Sequence, residues 1–271
     1  MHSHNHAHRN SKARNLHLNA WLFSTLANVI VLAACSRSLA QEAGDTLDQT
    51  PAMTVGFESD LSNGYYWHGL EWSYGKVFQN SAWMSAESVT LSLWSNYEPS
   101  AGAPTPDLNE IDCALSLVTS VGNMSLEPAV NFCFFPDQPD VPTTVEVSLR
   151  MVLPLGALEP FIVHTVDVKA YPGAYFGEVG LSGSWSVSDR LTFETAAEIG
   201  WGSRRFNEAY LEIAESSVQL VQWDVALCWA PAGALYVRPH VGVSAITDKV
   251  IRENLDRPSL LQGGVAVGVE F

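Results

Sequence analysis

From about residue 53 to its C-terminus the chain alternates large apolar with small or polar side chains at period two, in about twelve separate segments. Side chains of a strand point alternately to its two faces, so each segment has one greasy and one wet side. The last segment, "LLQGGVAVGVEF" from Leu260 to Phe271, is the cleanest case. Leu261, Val265, Val267, Val269 and Phe271 fall on one side of it, and Gln262, Gly264, Ala266, Gly268 and Glu270 on the other. After residue 50 no stretch offers a sustained helical stripe. The pattern predicts strands at about 53–60, 65–73, 84–95, 108–119, 124–135, 143–153, 157–169, 174–185, 190–201, 218–230, 234–246 and 261–271.

The two faces differ in chemistry. The apolar set includes Val89, Leu91, Leu93, Leu115, Leu117, Val147, Val179, Leu181, Ile199, Val221, Trp223, Val225, Leu227, Val241 and Val243. The opposite set carries Glu58, Asp60, Glu110, Asp112, Glu127, Glu146, Arg150, Glu178, Glu194, Glu198, Asp224, Arg238, His240 and Glu270. Alternation alone fits a soluble sandwich with its charges outward as well as a membrane barrel with its charges inward.

Four features favour the membrane barrel. From the third connection onward, tight turns ("SVGN", "LPLG", "SVSD", "PAG") alternate with mostly longer polar loops. That is the asymmetry of an outer-membrane barrel between its periplasmic and external rims. Aromatics gather at strand ends, where interfacial girdles form: Tyr65, Tyr66, Trp67, Trp72, Trp94, Tyr97, Phe134, Phe135, Tyr171, Tyr175, Trp185, Trp201 and Trp229. Most segments are long enough for a tilted crossing of the hydrocarbon layer. An even antiparallel series can also close on itself, leaving no unpaired edge in lipid. The expectation is an all-β, transmembrane, antiparallel up-and-down barrel of about twelve strands, within a range of ten to fourteen, with both termini periplasmic.

The N-terminal part fits an exported chain. Arg9, Lys12 and Arg14 precede the apolar run "AWLFSTLANVIVLAA", and "SLA" stands before Gln41 as a small-residue cleavage site. Residues 1–40 are expected to be a signal segment with a His-rich extension, 41–52 a short linker, and 53–271 the barrel. "LAAC", Leu32 to Cys35, resembles the lipobox of bacterial lipoproteins and leaves acylation at Cys35 open as the other route. All 29 acidic residues lie beyond residue 40 with 10 of the 14 basic ones, a balance of 10 − 29 = −19. Such a surface repels phosphate backbones, so nucleic acid is not an expected partner. Past residue 40 the cysteines are Cys113, Cys133 and Cys228, too few and too scattered for a disulfide framework or a zinc pattern. Cys113 and Cys133 fall on opposite faces, so no bond is expected between them.

In these features the chain resembles small Gram-negative outer-membrane β-barrels. More loosely, it resembles a porin group that opens with Ser-Asp, a few residues, an aromatic cluster and Gly, here "ESDLSNGYYWHGL" from Glu58 to Leu70. His68 departs from the Arg frequent in that group. The resemblance implies that Val265, Val267, Val269 and Phe271 form the C-terminal signal read by the barrel-assembly machinery. It also implies passive passage of small polar solutes, with no cofactor and no catalytic residue.

With the polar face luminal, crowded carboxylates must each find a cation, a hydrogen-bond donor or a proton. The pairs expected are Arg150 with Glu146, and Arg238 with Glu270. An open path would prefer cations. The alternative is a non-conducting scaffold or adhesin whose salt-bridged interior is plugged. His240 with Asp224 or Glu270 and Ser244 would make a relay on paper, but no "GxSxG" or "HExxH" pattern accompanies it, and an enzyme is not expected. His164 falls on the apolar side of its segment, at a rim or in a misread register. In the long loop "GSRRFNEAYLEIAESS", the stretch "EAYLEIAE" has short helical character and could fold over the mouth or inward.

Overall fold

The computed structural model describes residues 53–99 and 107–271. The signal segment, the linker, Cys35 and most of the loop between the third and fourth strands lie outside the described residues.

The strands are β1 (Met53–Trp67), β2 (Leu70–Ala86), β3 (Val89–Glu98), β4 (Asp107–Leu117), β5 (Thr119–Val121), β6 (Met124–Phe134), β7 (Thr144–Val152), β8 (Leu158–Asp167), β9 (Tyr175–Ser188), β10 (Leu191–Gly202), β11 (Ser217–Ala232), β12 (Leu235–Ile246) and β13 (Ser259–Glu270). β4 and β5 are one crossing interrupted at Val118, and both pair with β6. The molecule is therefore a barrel of twelve crossings. Every neighbouring pair is antiparallel, and the circle closes through β1–β13 and β4–β6. At the seam Val55 N donates to Phe271 O at 3.0 Å, and Phe271 N donates to Val55 O at 2.9 Å. Among the described residues no ladder edge is left for lipid to meet, which a strand-built membrane span requires.

Burial settles which side is which. Leu93 (49% exposed), Leu115 (51%), Trp223 (55%), Val241 (47%) and Val267 (45%) stand on the outside, while Arg150 and Arg238 are 0% exposed. A soluble sandwich would invert this, so the greasy face is the one that meets lipid.

The first hairpin departs from the expected boundaries. "LSNG" and "YGKVFQNSAW" are not connections but lie inside β1 and β2, which run 15 and 17 residues. The true turns are His68–Gly69, both with positive φ as a two-residue hairpin demands, and Glu87–Ser88. Asn63 explains the continuity. It sits at a bulge between Ser62 and Gly64, where its side chain substitutes for the ladder: Nδ2 donates to Leu261 O at 2.9 Å, and Oδ1 accepts from Gly263 N at 3.0 Å.

From β4 onward the short turns and long loops alternate as expected. The loop after β10 carries a helix, α1 (Arg204–Leu211), capped by Ser203, whose Oγ accepts from Phe206 N at 3.2 Å. The loop after β12 carries α2 (Lys249–Glu253), capped by Asp248. Both lie at the rim opposite Met53 and Phe271.

Candidate functional site

The interior is built in three sectors. In the first, β12, β13 and β1 lie side by side, and the inward residues of β13 are Gly264, Ala266 and Gly268. Their smallness lets side chains of β12 lean across β13 to reach β1. Arg238 clasps Glu58 with two bonds, Nη2 to Oε1 at 2.7 Å and Nε to Oε2 at 3.2 Å, and His240 Nε2 lies 3.1 Å from both Asp60 oxygens. Ser62 Oγ adds a 2.6 Å bond to Asp60. A Cβ at Gly268 would strike the Tyr236 ring, and one at Gly264 would strike His240 and Ser62. The expected partnership of Arg238 with Glu270 does not form. Arg238 is registered against Ala266, four residues from Glu270, roughly 13 Å along the strand. Glu270 instead accepts from Trp83 Nε1 at 3.2 Å. The relay drawn from His240 to Asp224 or Glu270 is likewise replaced by Asp60.

In the second sector Arg150 of β7 is registered directly against Glu127 of β6 and bonds it at 3.0 Å, with its guanidinium 5.0 Å from the Phe161 ring centroid. The expected pairing with Glu146 fails for the same geometric reason, since Glu146 lies four residues along Arg150's own strand. Around this pair stands a belt of buried carboxylates: Glu110, Asp112, Glu146, Glu178, Glu194, Glu198 and Asp224, together with Asp167, which is 1% exposed. Side-chain amides serve several of them. Asn131 Nδ2 donates to Asp112 at 3.0 Å, and Gln222 Nε2 to Asp224 at 2.9 Å.

The third sector is an aromatic cluster at the rim opposite Met53 and Phe271. Tyr65, Trp67 and Trp94, expected in the girdle, point inward and pack with Val77, Ala174, Phe176, Leu220 and Phe206 of α1; Trp72, Phe134, Trp185 and Trp229 are exposed on the outer face. The ring centroids of Trp67 lie 5.5 Å from Phe206 and 5.0 Å from Tyr210. His68, at the tip of the first hairpin, stacks 3.9 Å from Phe176 and places Nδ1 3.2 Å from Glu178 of β9. In one direction four strands separate β1 from β9, so this contact spans the barrel. Tyr210 reaches down to Asp167 at 3.5 Å. Burial first, and then the carboxylates of Glu146 and Asp167, raise the Tyr210 phenol above its usual range and keep its proton in place as a donor. The helical stretch foreseen in this loop therefore folds inward, and starts earlier than "EAYLEIAE".

Sequence reasoning missed Asp167 and His68. On β8 the inward residues are Phe161, Val163, Thr165 and Asp167. Apolar side chains on both faces hid the parity there. His164 accordingly points outward near the rim, 2.7 Å from the Tyr175 hydroxyl. Lys169 is exposed in the loop after β8. Cys113 and Cys133 are free and face opposite ways, as expected from their parity.

No protein-family model matches the chain, and no curated protein matches it. Among solved structures the chain is similar to the KdgM porin (12% identity, 80% of this chain and 98% of that one, TM-score 0.47) and to the NanC porin (12%, 80% and 98%, 0.48). It is also similar to the COG4313 outer membrane channel from Pseudomonas putida F1 (12%, 84% and 98%, 0.46). The closed antiparallel ladder and the outward apolar belt are those of a β-barrel whose wall faces lipid, with Met53 and Phe271 together at one rim.

Proposed function

We propose that the protein is a non-conducting outer-membrane barrel, a scaffold whose external loops present the interacting surface and whose interior is closed by its own side chains. The observation that supports this most strongly is the complete burial of Arg150 and Arg238 on carboxylate partners, beneath an aromatic lid made by Tyr65, Trp67, Trp94 and Phe206. A guanidinium facing a water-wide path would keep measurable exposure; these have none. Desolvated pairs of this kind join β6 to β7 and, across β13, β12 to β1, and they fill the interior with protein groups where a conducting path would hold water.

In this reading the acidic inward face of Glu58, Asp60, Glu110, Asp112, Glu127, Glu146, Glu178, Glu194, Glu198, Asp224 and Glu270, with Arg150, Arg238 and His240, is structural packing, salt-bridged at Glu58, Asp60, Glu127 and Glu178. Outer-membrane lipid surrounds the barrel, and Val265, Val267, Val269 and Phe271 serve the assembly machinery. Planar-bilayer recording of the purified protein tests it. The expected trace stays at the lipid leak level, and reproducible single-channel steps in the wild type would overturn the proposal.

The excess of carboxylates over arginines inside favours one second reading, a cation path for small solutes gated by α1. Phe206→Ala with Tyr210→Ala separates the two. Cation-selective steps in that variant, absent from the wild type, support the gated path, and silence in both supports the scaffold.

A further inference from the structure

Among the described residues one interior cluster gathers side chains of metal-ligating type. Glu110 and Asp112 of β4 and Cys133 of β6 bring one ligand atom each to within 4.8 Å of one another, all three residues buried. Asp112 and Cys133 are direct register partners, and Glu110 is the next inward residue along β4. The strand ladder thus presents two carboxylates and a thiol on one patch of wall.

A second observation comes from β7. Glu146, 6% exposed, is registered against Asn131 and stands beside this patch. Its strongest electrostatic neighbours are Asp112, Asp167 and Glu178, all carboxylates. Among the described residues it has no hydrogen-bond donor and no cationic partner, so a nine-tenths-buried acid is aimed at a cluster of further acids. Buried carboxylates without a guanidinium usually coordinate a metal ion or hold a proton. Here a sulfur lies among them, and a buried thiol beside acids is a poor way to satisfy a proton but a good way to hold a borderline-soft cation.

We propose that Glu110, Asp112, Cys133 and Glu146 form a binding site for a thiophilic divalent cation of the Zn²⁺ class. Four ligands suit its tetrahedral preference. Zinc–oxygen and zinc–sulfur bonds place ligand atoms about 3.3–3.8 Å apart, so side-chain adjustment of about an ångström closes Glu110, Asp112 and Cys133 on an ion, and Glu146 would swing in from β7 as the fourth ligand. Binding releases the Cys133 thiol proton to solvent and leaves the thiolate on the metal. Asn131 is the orienting residue. Its Nδ2 donates to Asp112 Oδ2 at 3.0 Å and lies 3.3 Å from Cys133 Sγ, so one amide aims both ligands. The ion would join β4, β6 and β7 and offset the acidic excess on that wall. The inference does not depend on whether the barrel conducts.

The test uses the full chain, extracted in detergent, stripped with a chelator and titrated with Cd²⁺ as a spectroscopic probe and Zn²⁺ as competitor. One equivalent of Cd²⁺ should produce a thiolate-to-metal charge-transfer band that Zn²⁺ displaces and that weakens as pH falls. Cys113→Ser should keep the band and Cys133→Ser should lose it. Asn131→Ala should weaken binding by about 10–100-fold, as loss of an orienting partner does. A band that survives Cys133→Ser, displacement by Ca²⁺ in preference to Zn²⁺, or no saturable binding would overturn the site. Should Cys133→Ser fail to fold, site-resolved alkylation of the wild type gives the answer: Zn²⁺ should slow labelling of Cys133 and not of Cys113, and equal rates with and without metal would overturn the proposal.

Discussion

Replacing Glu58 by Gln removes the charge from one half of the Arg238 pair while keeping its shape. Arg238 and Glu58 side chains are 1% and 6% exposed, and their two bonds measure 2.7 and 3.2 Å. In so buried a setting the guanidinium loses its bidentate charged partner with little solvent to replace it, and breaking such a pair costs about 3–5 kcal/mol. Removing both charges together, as Glu58→Leu with Arg238→Met, abolishes two desolvation penalties at once and should be near neutral or stabilising by about 1–4 kcal/mol. The assay is urea unfolding of the barrel in lipid vesicles, followed by tryptophan fluorescence, comparing wild type, both single variants and the double. A water-filled lumen would screen the same pair and reduce the single-variant cost to about 0–1 kcal/mol. A Glu58→Gln loss below about 1 kcal/mol would therefore refute the argument that this interior is dry and plugged.

Other perturbations probe other links of the account. Gly268→Leu should destabilise the folded barrel, because the new side chain takes the space of the Tyr236 ring beside the Arg238–Glu58 clasp; a thermal melt on heat-modifiable gel mobility reads this. Val241→Arg, on the lipid face at 47% exposure, should cost about 2–4 kcal/mol at mid-membrane depth, measured by the same vesicle unfolding. Phe271→Ala should lower the yield of assembled barrel in cells, while the purified chain still refolds in detergent to the wild-type gel mobility.

Much of the wall was legible in the sequence, because a strand's period-two pattern is local. β11, β12 and β13 lie within a few residues of their predicted bounds, and the alternation of small and large residues in "GGVAVGVE" foretold its two faces. The first hairpin was misread because "LSNG" has the composition of a turn. Only the cross-strand bonds of Asn63 to Leu261 and Gly263 show that it continues β1. Interior partners were less legible still. Arg150 meets Glu127, and Arg238 meets Glu58, through registers and through the smallness of β13, and neither is written in sequence spacing. Asp112 and Cys133 lie 21 positions apart and meet only because β4 folds back on β6. The inward turn of Trp67 and Trp94 was hidden because an aromatic at a strand end fits a lipid girdle and a lumen lid equally well.

The most direct test of the account's central claim is quenching of single-tryptophan variants by brominated lipid chains. Trp223, 55% exposed on β11, should be strongly quenched, while Trp83 and Trp94, 5% and 6% exposed inside, should be left bright. Strong quenching of Trp94 with a protected Trp223 would turn the barrel wall inside out and contradict the account.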